Sequence, residues 1–387
     1  MTTRTTNTPN TLNATNATNA THSDKAPHVL VIGAGYAGLM AALRLDPHAR
    51  VTLVDPSDRF TERIRAHERA AGRPDVTHPL GGFLRSTGIR HVPSRATAID
   101  LAARRVTTDD GQRLRYDRLV YALGSRTSAP VAGIGERAHT LEAAESLAKR
   151  LRDGPGSLAV VGGGLTGVEL AAELAESHPD WSVRLHSDGD IGAGLSARGR
   201  DHVREVLTAR GVRIHEGHRI ARADDLEADE VVWTAAMAPN SELAAAAGLS
   251  LDASGRIAVD AVLRSVSHPE VYVAGDAAAA HSPKVGALRM ACATAIPTGS
   301  HVATSLIAEF RGRQPRPLDF GFLVQCVSLG RHDGLVQFVR PDDSPRDRLL
   351  KGALAARVKE RVVRSTVGTL RLAARWPWTV PLIPGMS

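Results

Sequence analysis

The chain has 387 residues, 43% apolar and 23% charged. At roughly 150 residues per domain that is enough for two or three cores, and it excludes both a wholly disordered protein and a single small module. Cys292 and Cys326 are its only cysteines, too few for a disulfide framework or a four-thiolate metal site, and they suit a reducing cytoplasm. The formal net charge of +7 is local: from Arg346 to Arg375 nine basic side chains stand against two acids, and the remaining 39 basic and 39 acidic residues cancel. A basic tail on a neutral body points to one anionic partner surface; an acidic membrane face is the expectation, and a nucleic acid is not.

Residues 1–26 are mostly Thr and Asn, with the repeat Asn13-Ala14-Thr15, Asn16-Ala17-Thr18, Asn19-Ala20-Thr21. Such a segment cannot bury apolar surface and is expected to be a disordered tail without a secretory leader. His28 to Ile32 then reads as a buried strand, Ala37 to Leu45 as a helix ended by Asp46-Pro47, and Ala49 to Val54 as a second strand, which together make a βαβ unit. A second unit follows, with a strand from Ser157 to Val161, a helix from Leu165 to Ser177 and a strand from Ser182 to His186. Glu270 to Ala274 is a third apolar strand before Gly275-Asp276, and a helix is expected from Thr294 to Phe310. Phe320 to Val339 reads as strands joined by a turn at Arg331 to Gly334, and the basic tail comes last. No run reaches the ~18 apolar residues of a spanning helix.

The first unit carries Gly33-Ala34-Gly35-Tyr36-Ala37-Gly38, a G-x-G-x-x-G pattern between strand and helix. Gly33 permits the tight turn, Gly35 lets a diphosphate approach the backbone, and Gly38 lets the helix pack close to the strand. Asp55, 22 residues after Gly33, ends the second strand where a carboxylate can bind both ribose hydroxyls. The second unit repeats the design in Gly162-Gly163-Gly164-Leu165-Thr166-Gly167-Val168-Glu169, but its second strand ends in His186-Ser187 with no acid in place of Asp55. Ser187 can accommodate a 2′-phosphate, whereas the neighbouring Asp188 and Asp190 repel one, so NADH and NADPH both stay open. Two cradles in one chain can hold two dinucleotides face to face, as hydride transfer between them requires.

Together with Tyr121-Ala122-Leu123-Gly124-Ser125, Trp233-Thr234-Ala235-Ala236 and Val271-Tyr272-Val273-Ala274-Gly275-Asp276, these motifs resemble the flavoproteins of the pyridine nucleotide-disulfide oxidoreductase superfamily over about residues 28–340. Within it the chain looks like the branch of type II NADH dehydrogenases and ferroptosis-suppressor-like quinone reductases. The resemblance implies an α/β fold with two Rossmann-like domains, FAD in the first and NAD(P)H in the second, plus a small C-terminal α+β cap. It implies FAD domain segments at 27–140 and 263–312, an NAD(P)H domain at 141–262, cap strands at 313–345 and a basic amphipathic tail at 346–387. It places Ala122, Gly124, Gly275 and the start of the 294–310 helix, Thr294 and Ala295, beside FAD, with Asp276 on the ribityl chain, and Glu169 near the nicotinamide and flavin.

Disulfide reductases of the superfamily carry a C-x-x-x-x-C pair about a dozen residues after the ribose acid. Here Phe60 to Glu68 contains no cysteine, so electrons are expected to leave the flavin directly for an acceptor. Arg63, Arg65 and His67 are candidates for binding that acceptor, His67 as a proton donor; the competing reading is a solvated helix with salt bridges to Glu62 and Glu68. Glu169 either relays a proton and orients the cofactor or serves the helix dipole. Cys292 reads as a buried small hydrophobe rather than a redox thiol. A quinone is the leading acceptor, with a soluble protein or specialised metabolite as the alternative, because Thr294-Ala295-Ile296-Pro297-Thr298 stands where type II NADH dehydrogenases carry quinone-lining glutamines. A non-catalytic redox sensor is the third reading. In the tail, Leu354, Val358, Val362 and Leu370 recur at helical spacing before Trp376 and Trp378, which fits either an interfacial membrane anchor on a cytoplasmic protein or a helix packed on the body.

Overall fold

The computed structural model describes residues 26–73, 76–128 and 138–383. The expected disordered tail therefore lies, Ala26 excepted, outside the described residues. The elements that position the site are, in chain order, β1 (His28–Ile32), α1 (Tyr36–Leu45), β2 (Arg50–Val54), α2 (Ala66–Ala70), β3 (Arg90–Val92), β4 (Arg118–Tyr121), β5 (Ala138–Thr140), β6 (Ser157–Val161), α3 (Leu165–Ser177), β7 (Ser182–His186), β8 (Arg213–His215), β9 (Glu230–Trp233), β10 (Val271–Val273), α4 (Cys292–Phe310), β11 (Val324–Ser328), β12 (Gly334–Val339), β13 (Pro345–Lys351) and α5 (Gly352–Arg375).

Two parallel five-stranded sheets form the frame, in the orders β10-β4-β1-β2-β3 and β5-β9-β6-β7-β8. Their central strands are apolar runs because both faces are covered; Val29 to Ile32 and Leu158 to Val160 are wholly buried. The last strand of the first sheet, β10, follows the whole second sheet in sequence, so the second unit is inserted into the first. Gly299 lets α4 lie directly on α1, since a Cβ there would run into the Ala37 backbone.

The C-terminal region corrects the sequence reading in two respects. Strands β11, β12 and β13 make one antiparallel sheet, so a division between cap and tail after residue 345 cuts through β13. Helix α5 buries Ala355, Lys359, Val363, Val367, Leu370 and Ala373 and leaves Leu354 and Val362 exposed, one position off the expected apolar stripe. The start of the true stripe is hidden because Ala355 and Lys359 open it, and a count of large apolar residues passes over both.

Leu370 is completely buried, so Leu370→Ala is expected to lower stability by about 2–5 kcal/mol in a denaturant titration. Truncation after Pro345 removes α5 and most of β13, and is expected to yield an insoluble chain, as a solubility assay would register.

Candidate active site

Each glycine loop is shaped by backbone contact. A methyl group on Gly33 would stand 2.5 Å from the Ala122 carbonyl oxygen, and one on Gly162 2.6 Å from the Ala235 nitrogen. Both residues have left-handed backbones, with φ of +99° and +127°. Gly38 and Gly167 lie so close to the Gly33 and Gly162 carbonyls that any side chain would overlap them. The middle glycines, Gly35 and Gly164, face open space with nothing within 4 Å of a built Cβ. The two loops thus leave the same opening at a helix N-terminus, on α1 and α3, which is where a dinucleotide diphosphate sits. On this test the residues present fit both nucleotides.

Around the first opening, Asp55 accepts from the Ala34 amide at 2.7 Å and the Ser57 amide at 2.9 Å, which aims its carboxylate at the loop. Gly35, Asp55, Arg59, Arg63 and Arg69 line a cavity of about 380 Å³. Arg63 donates to the Ser125 carbonyl and pairs with Glu142 at 2.8 Å. The guanidinium thus stands in the same cavity as Gly35 and Asp55. Ala37 and Ala122 are buried beneath the loop, and Gly124 holds a positive φ of 65° as the chain leaves β4. Tyr36 is buried edge-to-face on Phe60 and points its hydroxyl toward Thr366 of α5, not into the opening.

Asp276 accepts from the Ser125 hydroxyl at 2.6 Å and from the Ala291 amide at 3.0 Å. It thereby ties the β10 loop to the N-terminus of α4, which starts at Cys292, one half-turn earlier than expected. Gly275 donates to the Thr298 hydroxyl at 2.9 Å, the Thr294 hydroxyl donates to the Ala291 carbonyl at 2.8 Å, and Ala295 is half-buried beside it. At the second opening Thr166 and Gly164 are exposed, while Ser187 is buried against Gly163.

Glu169 sits one turn into α3 at the meeting point of four segments. It accepts from the Ser328 amide of β11 at 2.9 Å, pairs with Lys359 of α5 at 2.9 Å, and lies 4.0 Å from the His67 Nδ1 of α2. Lys359 also donates to the Cys326 carbonyl at 3.0 Å. Burial alone would push the Glu169 carboxyl up; Lys359 holds it below its ordinary value. Burial likewise opposes the charge on Lys359, and Glu169 holds that ammonium above its ordinary value. Burial lowers His67, which is 4% exposed and therefore neutral, with no hydrogen-bond partner for its Nε2 among the described residues.

Of the competing reading of residues 63–68, the salt bridges to Glu62 and Glu68 form but the solvated helix does not. Residues Arg63–Arg65 form a 3-10 turn and only Ala66–Ala70 an α-helix. Arg65 is buried and bridges Glu62, Glu68 at 2.8 Å and Glu360 of α5 at 2.7 Å. Lys359 and Glu360 are the residues that sequence reasoning missed. The one available signal was a Lys-Glu pair at 359–360 within an otherwise arginine-rich helix.

The family model described as pyridine nucleotide-disulphide oxidoreductase matches residues 27–299. The chain belongs to the pyridine nucleotide-disulphide oxidoreductase family. It is 31% identical to an NADH dehydrogenase-like protein of Mycobacterium tuberculosis, over 78% of this chain and 85% of that protein. It is 28% identical to the alternative NAD(P)H-ubiquinone oxidoreductase C1 of Arabidopsis thaliana, over 81% of this chain and 73% of that protein. Its fold matches NDH2 from Plasmodium falciparum with a TM-score of 0.75 at 14% identity, covering 94% of this chain and 99% of the other. As a member of this oxidoreductase family the chain is an NAD(P)H-dependent flavin oxidoreductase that uses FAD and NAD(P)H.

Unlike the family name, the site holds no paired thiols: both cysteines are free, and burial pushes the Cys292 thiol up to about 11, far from a thiolate at neutral pH. Replacing both cysteines with serine is expected to leave NAD(P)H oxidation within about threefold of the parent, about half of the 1.4 kcal/mol that a tenfold change represents; a loss of orders of magnitude in a steady-state assay would restore a thiol relay.

Breaking the buried pair with Lys359→Met is expected to cost about 3–5 kcal/mol, and adding Glu169→Gln should recover much of it, because the stranded carboxylate and not the lost attraction dominates. Since the Glu169 value is depressed in the fold, the pair's contribution is complete above the ordinary 4.5 and is lost as pH falls further. Since that of Lys359 is raised, the contribution is complete below 10.5 and is lost as pH climbs beyond. Chemical denaturation of the parent and Lys359→Met proteins across pH checks both limits.

Proposed function

We propose that this chain is an NAD(P)H:quinone oxidoreductase working without a redox disulfide. The observation that carries the reading is the pair of open glycine cradles, at Gly35 and Gly164, in one chain whose only thiols are free and protonated. FAD, when bound, supplies the two-electron carrier between nicotinamide and acceptor. In this reading Gly33, Gly35 and Gly38 admit its diphosphate, Asp55 takes ribose hydroxyls, Asp276 binds the ribityl chain, and Thr294 and Ala295 present the α4 N-terminus to the cofactor. Gly162, Gly164, Thr166 and Gly167 admit the diphosphate of NAD(P)H. Glu169 and Lys359 hold a proton in a water-poor pocket for delivery to the reduced acceptor, and neutral His67 keeps the pair positioned. The Arabidopsis relative's name, which includes ubiquinone, supports a quinone over a soluble acceptor.

The tail bears on where that acceptor is met. No helix among the described residues is long and apolar enough to cross a membrane. With one face of α5 packed on the body, its other face still presents Arg357, Arg361, Arg364 and Arg371, and Trp376, Trp378 and Leu382 follow as exposed apolar side chains. Basic and aromatic residues on one surface suit an anionic lipid interface, so we assign the tail both roles: a structural helix and a peripheral membrane contact.

The purified protein is expected to be yellow and to release FAD on denaturation. Gly35→Val should abolish flavin retention. Gly164→Val should retain FAD yet no longer be bleached by NAD(P)H under anaerobic conditions. Colourless protein, released FMN, or unchanged bleaching of the Gly164 variant would refute the assignment, and turnover with soluble acceptors but no quinone would replace the acceptor. Sedimentation with anionic vesicles should exceed that with neutral ones, at up to about 1 kcal/mol per basic residue, and weaken with salt; equal binding to both removes the membrane role.

A further inference from the structure

The two βαβ units share the same hydrogen bonds at their strand ends, which allows the second cradle to be read against the first. The Gly33 amide donates to the Val54 carbonyl at 2.9 Å, and the Gly162 amide to the His186 carbonyl at 2.8 Å. The next residue along, Asp55 in the first unit and Ser187 in the second, donates its own amide to the neighbouring strand end, at Val92 and His215 respectively. Ser187 therefore occupies the position of the ribose-binding carboxylate. A carboxylate there accepts from a 2′-hydroxyl and repels a 2′-phosphate; a serine does neither.

What surrounds Ser187 decides the remaining balance. Its carbonyl accepts from the His218 amide at 2.9 Å, which brings the segment carrying His218 and Arg219 to the rim of the same opening. The cavity there, about 560 Å³, is lined by Gly163, His186, Asp188, His218 and Arg219 among others. No carboxylate is paired with Arg219 among the described residues, and its side chain is exposed. Of the two acids that oppose a phosphate in the sequence, Asp190 is turned to Arg200 and Arg204, at 3.7 Å each, and lines, with Ser187 and Asp188, an adjoining cavity of about 370 Å³ rather than the one that Arg219 lines. Asp188 alone remains, against Arg219 and the two imidazoles. His186 is pushed down to about 4, first by burial and then by His215, on whose ring it stacks at 4.6 Å. It thus offers a neutral donor rather than a fixed charge.

We propose that the second cradle selects NADPH over NADH, with Arg219 receiving the 2′-phosphate and Ser187 leaving the place of the repelling carboxylate uncharged. The proposal rests on the reading of this cradle as the NAD(P)H site and names which coenzyme it takes. A guanidinium presents a planar set of donors that matches phosphate, and at the lip of an open cavity it stays free to close on the ligand. Asp188, which lines the same cavity, opposes that preference.

The test uses the purified flavoprotein. Anaerobic stopped-flow reduction should give a second-order rate constant for NADPH at least tenfold above that for NADH. Arg219→Ala should lower the NADPH constant about tenfold more than the NADH constant, and Ser187→Asp should reverse the preference. Calorimetry with adenosine 2′,5′-bisphosphate and 5′-AMP supplies a readout independent of turnover: the bisphosphate should bind the parent more tightly, and Arg219→Ala should abolish the difference while melting at the parent temperature. Equal or inverted coenzyme preference in the parent, or an Arg219 variant that weakens both nucleotides alike, overturns the proposal. Should neither coenzyme reduce the flavin and neither nucleotide bind, the reading of the cradle itself falls and the selectivity with it. Reduction by NADH alone leaves that reading standing and sinks only the selectivity.

Discussion

The close approach of a helix to the strand that precedes it is the contact on which this molecule is built. At Gly38 and Gly167 the helix backbone comes so near the turn carbonyl that no side chain fits between them. That intimacy draws the first turn of α1 and of α3 back over the strand ends and leaves Gly35 and Gly164 facing open space. The openings, the parallel sheets that hold them and the shared register of the two units all follow from the same few ångströms. Because the contact is between backbones, it is indifferent to what lines the rest of each cavity. The first unit can therefore close its strand end with Asp55 and the second with Ser187 without altering the frame.

Between the two cradles the structure depends on charges taken out of water. Glu169 and Lys359 lie close enough to compensate each other, and the Ser328 amide and Cys326 carbonyl satisfy them further. A parallel set runs alongside. Glu173, wholly buried, takes Arg73 at 2.8 Å and Arg331 at 2.7 Å, and Arg65 joins Glu68 to Glu360. These pairs connect the α2 region of the first unit, helix α3 of the second, the cap sheet and α5. Buried ion pairs contribute little net stability against apolar replacements of the same volume, but each is costly to break singly, so they favour one relative placement of the parts over others. One consequence concerns the tail: a segment whose composition reads as a surface device supplies a lysine and a glutamate to the interior.

How much could be read in advance differs between the frame and the site. The βαβ units were legible residue by residue: β1, β6, α3 and β7 have the bounds that apolar runs and glycine spacing mark out in the chain. Strand and helix periodicity is a local property, and the glycine pattern is a local steric requirement, so neither needs a partner to be recognised. The short strands between β2 and β6 lack such signals and were not separable from loops. The stripe of α5 was displaced by one residue, because Ala355, Lys359 and Ala373 become its buried face only through what they meet.

Sequence alone therefore determined the family, the pair of dinucleotide cradles and the absence of a thiol relay, all of which rest on residue types at fixed spacing. Tertiary structure alone decided which charges face each other. It brought Lys359 to Glu169 across 190 residues of chain, turned Arg63 to Glu142 and Tyr36 toward Thr366, drew Asp190 off to Arg200 and Arg204, and set Arg219 at the rim of the second cavity. Electrostatic interactions depend on separation and burial in space, which fall off within a few ångströms of water, and neither quantity is carried by position along the chain.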